Sequence, residues 1–322
     1  MDSKTVISEL RRKFSANGWF ALIYYAIMTF FVSIIFAIDV VVVWMQYALD
    51  PDGLQMDFDQ VISDRMIGNG WGHLLACIII GIILFIWKKP DFCFRQIWAH
   101  EKPMSGKAFL VLFCAFLTGQ AIQLLLTPVI EWLLNQIGLS ALASLESATG
   151  SANTVSMFLY VAIFAPVFEE IFFRGLILRN FLPYGKKFAI FATSYLFGVL
   201  HGNLLQTPYA FMVGLVLGYT AVEYGLGWSI VLHIFNNFVL GDLVTRLAEL
   251  IPSFYVDFAL YFLFFGAAIA TLVLATFNSR KIADYLSSRR MHPWCLKGFF
   301  SSWGVIVFSI IMFGNMVALL LV

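Results

Sequence analysis

Long, nearly uninterrupted apolar runs constrain this chain most. They fall near residues 18–46, 70–87, 108–135, 154–182, 188–203, 208–223, 227–242, 253–277 and 299–321. Runs of about 17 to 25 such residues cross a hydrocarbon core as helices, because no water is present there to satisfy open backbone groups. The expected fold class is therefore all-α: a polytopic transmembrane helix bundle of nine spans, with eight and ten as the neighbouring counts. Hydrophobic residues supply 61% of the chain and charged residues only 12%, about half the charged share of a soluble domain. The third and fourth runs exceed bilayer thickness at about 1.5 Å per residue. Each must tilt, project or break, with Pro128 and Pro166 as the expected break points.

Basic residues test this layout, since cytoplasmic loops carry the excess of Lys and Arg. A cytoplasmic N-terminus puts seventeen of the twenty inside: Lys4, Arg11, Arg12 and Lys13; Lys88, Lys89, Arg95, Lys102 and Lys107; Arg179, Lys186 and Lys187; Arg280, Lys281, Arg289, Arg290 and Lys297. The outside keeps Arg65 and Arg246, together with an acidic loop of Asp50, Asp52, Asp57, Asp59 and Asp64. The first apolar run is too long for a signal-peptide core and is expected to be retained. Cys77 and Cys114 fall within spans, and Cys93 and Cys295 on the inner side, so no external disulfide is expected. A net charge of +1 gives no bulk electrostatic case for nucleic acid. The expected location is a cell membrane, as a multi-pass protein of a bacterial plasma membrane, and the sequence sets no oligomeric state.

Ionisable residues inside such runs are costly and mark candidate sites. Successive helical residues lie about 100° apart, so Glu170 and Arg174 at i, i+4 share a face in the favoured acid-before-base order, while Glu169 points elsewhere. Arg174 can neutralise Glu170 and leave Glu169 without a partner on its own helix, which suits a general base. A buried charge network that only ties helices together is the competing reading. Phe197 and His201 share one face of the next run, and His233 and Asn237 one face of a later run. Two neutral donors side by side suit a developing oxyanion, although interhelical hydrogen bonding also uses His and Asn in this way. Counted from the inner ends of their spans, Glu169 and His201 lie about 20 Å deep, Asn237 about 15 Å and His233 about 10 Å. That depth range fits one water-containing cavity, reached from the cytoplasmic side.

Together, Glu169-Glu170 with Arg174, Phe197 with His201, and His233 with Asn237 resemble the EExxxR, FxxxH and HxxxN/D motifs of the intramembrane proteases that include the type II CAAX prenyl endopeptidases and their bacterial relatives, the CPBP or Abi group. The resemblance covers roughly residues 107–245, the expected catalytic core, flanked by two-span extensions over 1–106 and 246–322. It implies peptide-bond hydrolysis, with Glu169 and His201 activating water, His233 and Asn237 stabilising the oxyanion, and Glu170, Arg174 and Phe197 in support. The implied partners are the lipid bilayer and a peptide or membrane-protein substrate. No cofactor is required on this reading. Zinc held by Glu169, His201 and His233 stays open, although no HExxH is present. The alternatives are a catalytically silent scaffold or bacteriocin-immunity protein, and a proton- or ion-coupled transporter. Against a transporter, the flanking spans hold few ionisable residues, namely Asp39, His73 and Asp257 towards their outer ends.

Overall fold

The computed structural model describes residues 3–49, 57–149, 154–288 and 294–321. Asp50, Asp52, Arg289 and Arg290 of the charge count lie outside them. The elements are α1 (Ser3–Leu49), α2 (Phe58–Gly68), α3 (Trp71–Phe94), α4 (Gly106–Asn135), α5 (Leu142–Thr149), α6 (Val155–Tyr184), α7 (Lys186–Leu200), α8 (Gln206–Glu223), α9 (Leu226–Ala248), α10 (Ser253–Phe277), α11 (Ser279–Ser288), α12 (Cys295–Phe300) and α13 (Trp303–Leu320). No strand occurs among the described residues. The protein is an all-α polytopic bundle.

Among the described residues, seven segments are long and apolar enough to cross a membrane by length and composition: α1, α2 with α3, α4, α6, α9, α10 and α13. The other two expected runs form α7 and α8, which pack against each other. Their faces are covered by protein rather than offered to lipid: Phe188, Ala192, Ser194 and Phe197 of α7 are buried, as are Val213, Leu217, Thr220 and Ala221 of α8. Gly198 makes this crossing close, since a Cβ there would lie 2.9 Å from the backbone nitrogen of Phe211. Small residues at such crossings let helix backbones approach when lipid supplies no hydrophobic drive.

One end of the bundle is built of aromatic rings. Phe14 of α1 meets Phe181 of α6 and Phe188 of α7 at centroid distances of 5.5 and 4.9 Å, and Phe299 of α12 lies 5.8 Å from Phe181. Beside this cluster α1 crosses α13 almost backbone to backbone. A Cβ on Gly304 would come 2.0 Å from the Ser15 carbonyl oxygen, and the Gly304 N–H donates to Ser15 Oγ at 2.9 Å.

The two prolines behave differently. Pro166 follows a wide π turn over Tyr160–Phe164, which accommodates a ring that would otherwise collide with the Ala162 carbonyl. Pro128 was expected to break its helix, but α4 runs unbroken through it. Contacts from α8 and α10 hold α4, and transmembrane helices tolerate proline where neighbours support the freed backbone. The sharp break comes instead at Lys89, whose φ of 67° before Pro90 kinks α3.

Candidate active site

Glu169 and Glu170 close a short α-helical turn, Ala165–Glu170, set between the π turn at Tyr160–Phe164 and a second one over Ile171–Ile177. Glu170 and Arg174 are both fully buried, with Arg174 Nη1 2.8 Å from Glu170 Oε1. Two further groups converge on the same carboxylate. His233 Nδ1 lies 2.9 Å from Oε1, and the Ser229 hydroxyl donates to Oε2. Glu170 is thus saturated by three neighbouring groups from α6 and α9: a guanidinium, an imidazole and a hydroxyl satisfy both its oxygens.

Arg174 also explains Phe197. The guanidinium carbon sits 4.2 Å from the Phe197 ring centroid, a cation–π contact in a desolvated place. Arg174 Nη2 reaches the Gly214 carbonyl at 3.4 Å, and a Cβ on Gly214 would press to 3.3 Å against the Phe197 ring. The same ring meets His201 and His233 edge-on, at 4.9 and 5.7 Å between centroids. Phe197 therefore packs against both motif histidines while facing the cation.

His201 sits at the C-terminal end of α7 and turns into Gly202, whose φ of 58° ends the helix. Its Nδ1 lies 2.9 Å from the Phe197 carbonyl. A carbonyl only accepts, so Nδ1 carries the proton and Nε2 of the neutral ring is free to take one. His233 follows the same rule with Glu170 as acceptor, and its Nε2 is 3.8 Å from Glu169 Oε2. Arg174 and Glu170 cancel in charge. Glu169 and His233 leave the cluster neutral when they hold one proton between them.

Glu169 has a different setting from its neighbour. It lines a cavity of about 440 Å³ with His201, Leu200, Tyr160, His73 and residues of α1. His233 and Asn237, expected in the same space, are not among the lining residues described. Asn237 instead donates from Nδ2 to the Val161 carbonyl at 3.1 Å and accepts from Asn236. Asn236 extends this network, since its Oδ1 accepts from Gln120 at 2.9 Å and from the Tyr209 hydroxyl at 2.5 Å. Cavity residues His73 and Tyr160 stand near the N-terminal ends of α3 and α6, stacked at 4.3 Å. The cavity therefore reaches towards the end of the bundle where α3 and α6 begin.

Sequence reasoning missed Ser229, Tyr24 and Tyr160 and set His73 aside as peripheral. The only signal for Ser229 was its position one helical turn before His233. Glu169, His201 and His233 are suitable zinc donors by type, and in both histidines Nδ1 is the engaged nitrogen. Yet no three His, Cys, Asp or Glu side chains among the described residues are grouped to hold a metal ion.

The fold and this cluster define a class: a multi-pass membrane protein with a carboxylate–imidazole site inside its helix bundle. Residues 151–239 match the family model described as type II CAAX prenyl endopeptidase Rce1-like. The match contains all three motifs and bears out the resemblance to the CAAX protease group. That family is one of proteases, which supports an endopeptidase in general. No curated protein and no solved structure matches the chain.

Proposed function

We propose that the protein is an intramembrane endopeptidase hydrolysing a peptide bond of a membrane-associated or peptide substrate. One observation carries the reading: two adjacent glutamates have opposite environments. Glu170 is fully buried and saturated by Arg174, His233 and Ser229, whereas Glu169 lines a cavity with His201. Paired carboxylates whose surroundings differ in this way divide into a structural member and a reactive one.

In this mechanism Glu169 and Nε2 of His201 activate water for attack on the scissile carbonyl. Glu170, held by Arg174, orients His233 towards Glu169. His233 and Asn237 take the oxyanion role that the family resemblance implies. With Nδ1 committed to Glu170, His233 donates from Nε2 only as imidazolium, and Asn237 only from the amide hydrogen not bonded to Val161. The reading requires no cofactor. It is set in a bacterial plasma membrane with the N-terminus in the cytoplasm.

The test compares the membrane peptidomes of cells making wild-type, Glu169→Gln and His201→Ala protein. Each variant is expected to lose the products while accumulating and unfolding like the wild type. Unchanged products in both variants would sink the enzyme reading.

A further inference from the structure

The cavity that holds Glu169 and His201 has a second wall, which none of the three motifs supplies. Tyr24, Met28, Thr29 and Val32 of α1 form it with His73 of α3. Tyr24 is 3% exposed, and its ring lies 4.6 Å from Phe172 and 5.9 Å from Phe173, the residues just beyond the glutamate pair. Its hydroxyl has no hydrogen-bond partner among the described residues. An unpartnered buried hydroxyl destabilises a fold, and phenylalanine would fill the same space without that cost. Of the donors expected for the oxyanion, only His233 Nε2 and one Asn237 amide hydrogen stay available, because His233 Nδ1 is held by Glu170 and the other Asn237 N–H by Val161.

We propose that Tyr24 is a substrate-contacting residue of this site: its O–H donates to the scissile carbonyl oxygen and holds the oxyanion formed there. This rests on the endopeptidase reading above. Water gives a proton to the Glu169 carboxylate as its oxygen bonds to the carbonyl carbon. The π pair of the C=O bond moves onto oxygen, which accepts the Tyr24 hydrogen bond. On collapse the C–N bond breaks, and the departing nitrogen takes the proton from Glu169. Tyr24 keeps its own proton throughout, so as a neutral donor it leaves the charge balance of the cluster undisturbed. The residue lies on α1, far outside the matched segment 151–239, so α1 completes the site chemically as well as enclosing it.

Wild-type, Tyr24→Phe and Glu169→Gln proteins are compared in two ways: rates of product appearance by quantitative terminal peptidomics of membranes, and thermal unfolding of the purified proteins in detergent. For Tyr24→Phe, the Glu169-dependent products should appear on the order of 100-fold more slowly, the size of effect seen when one oxyanion donor is removed. Its unfolding temperature should hold or rise, because an unpartnered hydroxyl has been deleted. Wild-type rates in Tyr24→Phe would overturn this proposal and leave the endopeptidase reading standing. Loss of rate together with a lower unfolding temperature would make Tyr24 a packing residue and also overturn it. If no product depends on Glu169, both readings fall.

Discussion

Arg174→Met removes the cation beside Glu170 while keeping much of the side-chain volume. Both partners are 0% exposed and 2.8 Å apart. Removing one member of such a buried pair costs about 3–5 kcal/mol, because the remaining charge is left without compensation. Two effects reduce that figure. Polar contacts between transmembrane helices average only about 0.6 kcal/mol, since the unfolded chain in the membrane also finds partners, and Glu170 keeps Ser229 and the His233 contact at 2.9 Å. One effect adds to it: the stack of Arg174 on Phe197 at 4.2 Å, worth about 0.5–2 kcal/mol. Full burial of both charges makes the ion-pair cost dominate, so a loss of about 3–4 kcal/mol is expected. Reversible unfolding in mixed micelles measures it, with Glu170→Gln and the double variant completing a cycle. The double variant should fall short of the summed losses by at least ~1 kcal/mol. A loss below ~1 kcal/mol for Arg174→Met, or additivity within ~0.5 kcal/mol, would refute an ionised, mutually dependent pair. It would also undo the division between an occupied Glu170 and an available Glu169.

Gly304→Leu should separate α1 from α13, because even a Cβ there meets the Ser15 carbonyl oxygen at 2.0 Å. Thermal unfolding well below the wild-type temperature is expected, and wild-type behaviour would contradict the close crossing. Chelation of the purified protein should leave cleavage unaffected on the water-activation reading. Loss of activity restored by added zinc would instead favour a metal held by Glu169, His201 and His233. Asn237→Ala should slow cleavage about 10- to 1000-fold if its free amide hydrogen serves the oxyanion, and an unchanged rate would confine Asn237 to its bond with Val161.

Contacts within a single helix were legible in advance, and those between helices were not. Glu170 and Arg174 lie on one helix four residues apart, so 100° periodicity placed them together and turned Glu169 away. Nothing in that periodicity relates His233 to Glu170, which are 63 positions apart. Nor could it reveal the π turns at Tyr160–Phe164, Ile171–Ile177 and Phe235–Leu243, where the helical phase slips beside the motif residues. Phe197 was recognisable as a motif position, but its place against Arg174 depends on α7 packing beside α6. Tyr24 carried no label at all, since a tyrosine in an apolar run is ordinary until packing shows it buried beside the cavity with its hydroxyl unpartnered. The nine expected spans rest on the length and hydropathy of the apolar runs alone. Hydropathy does not distinguish a helix wrapped by protein, as α7 and α8 are, from one bathed in acyl chains.

The crossing of α1 and α13 has a consequence in time. Ser15 and Gly304, which meet there, are 289 positions apart. At ordinary translation rates about 15 to 60 s separate their synthesis. During that interval α1, with Tyr24 on it, is in the membrane but lacks its closest neighbour. A nascent chain therefore holds its glutamates and histidines before the opposite wall of the cavity is clasped in place. Assembly order therefore leaves the α1 wall of the cavity without its α13 clasp until the last described helix has been made.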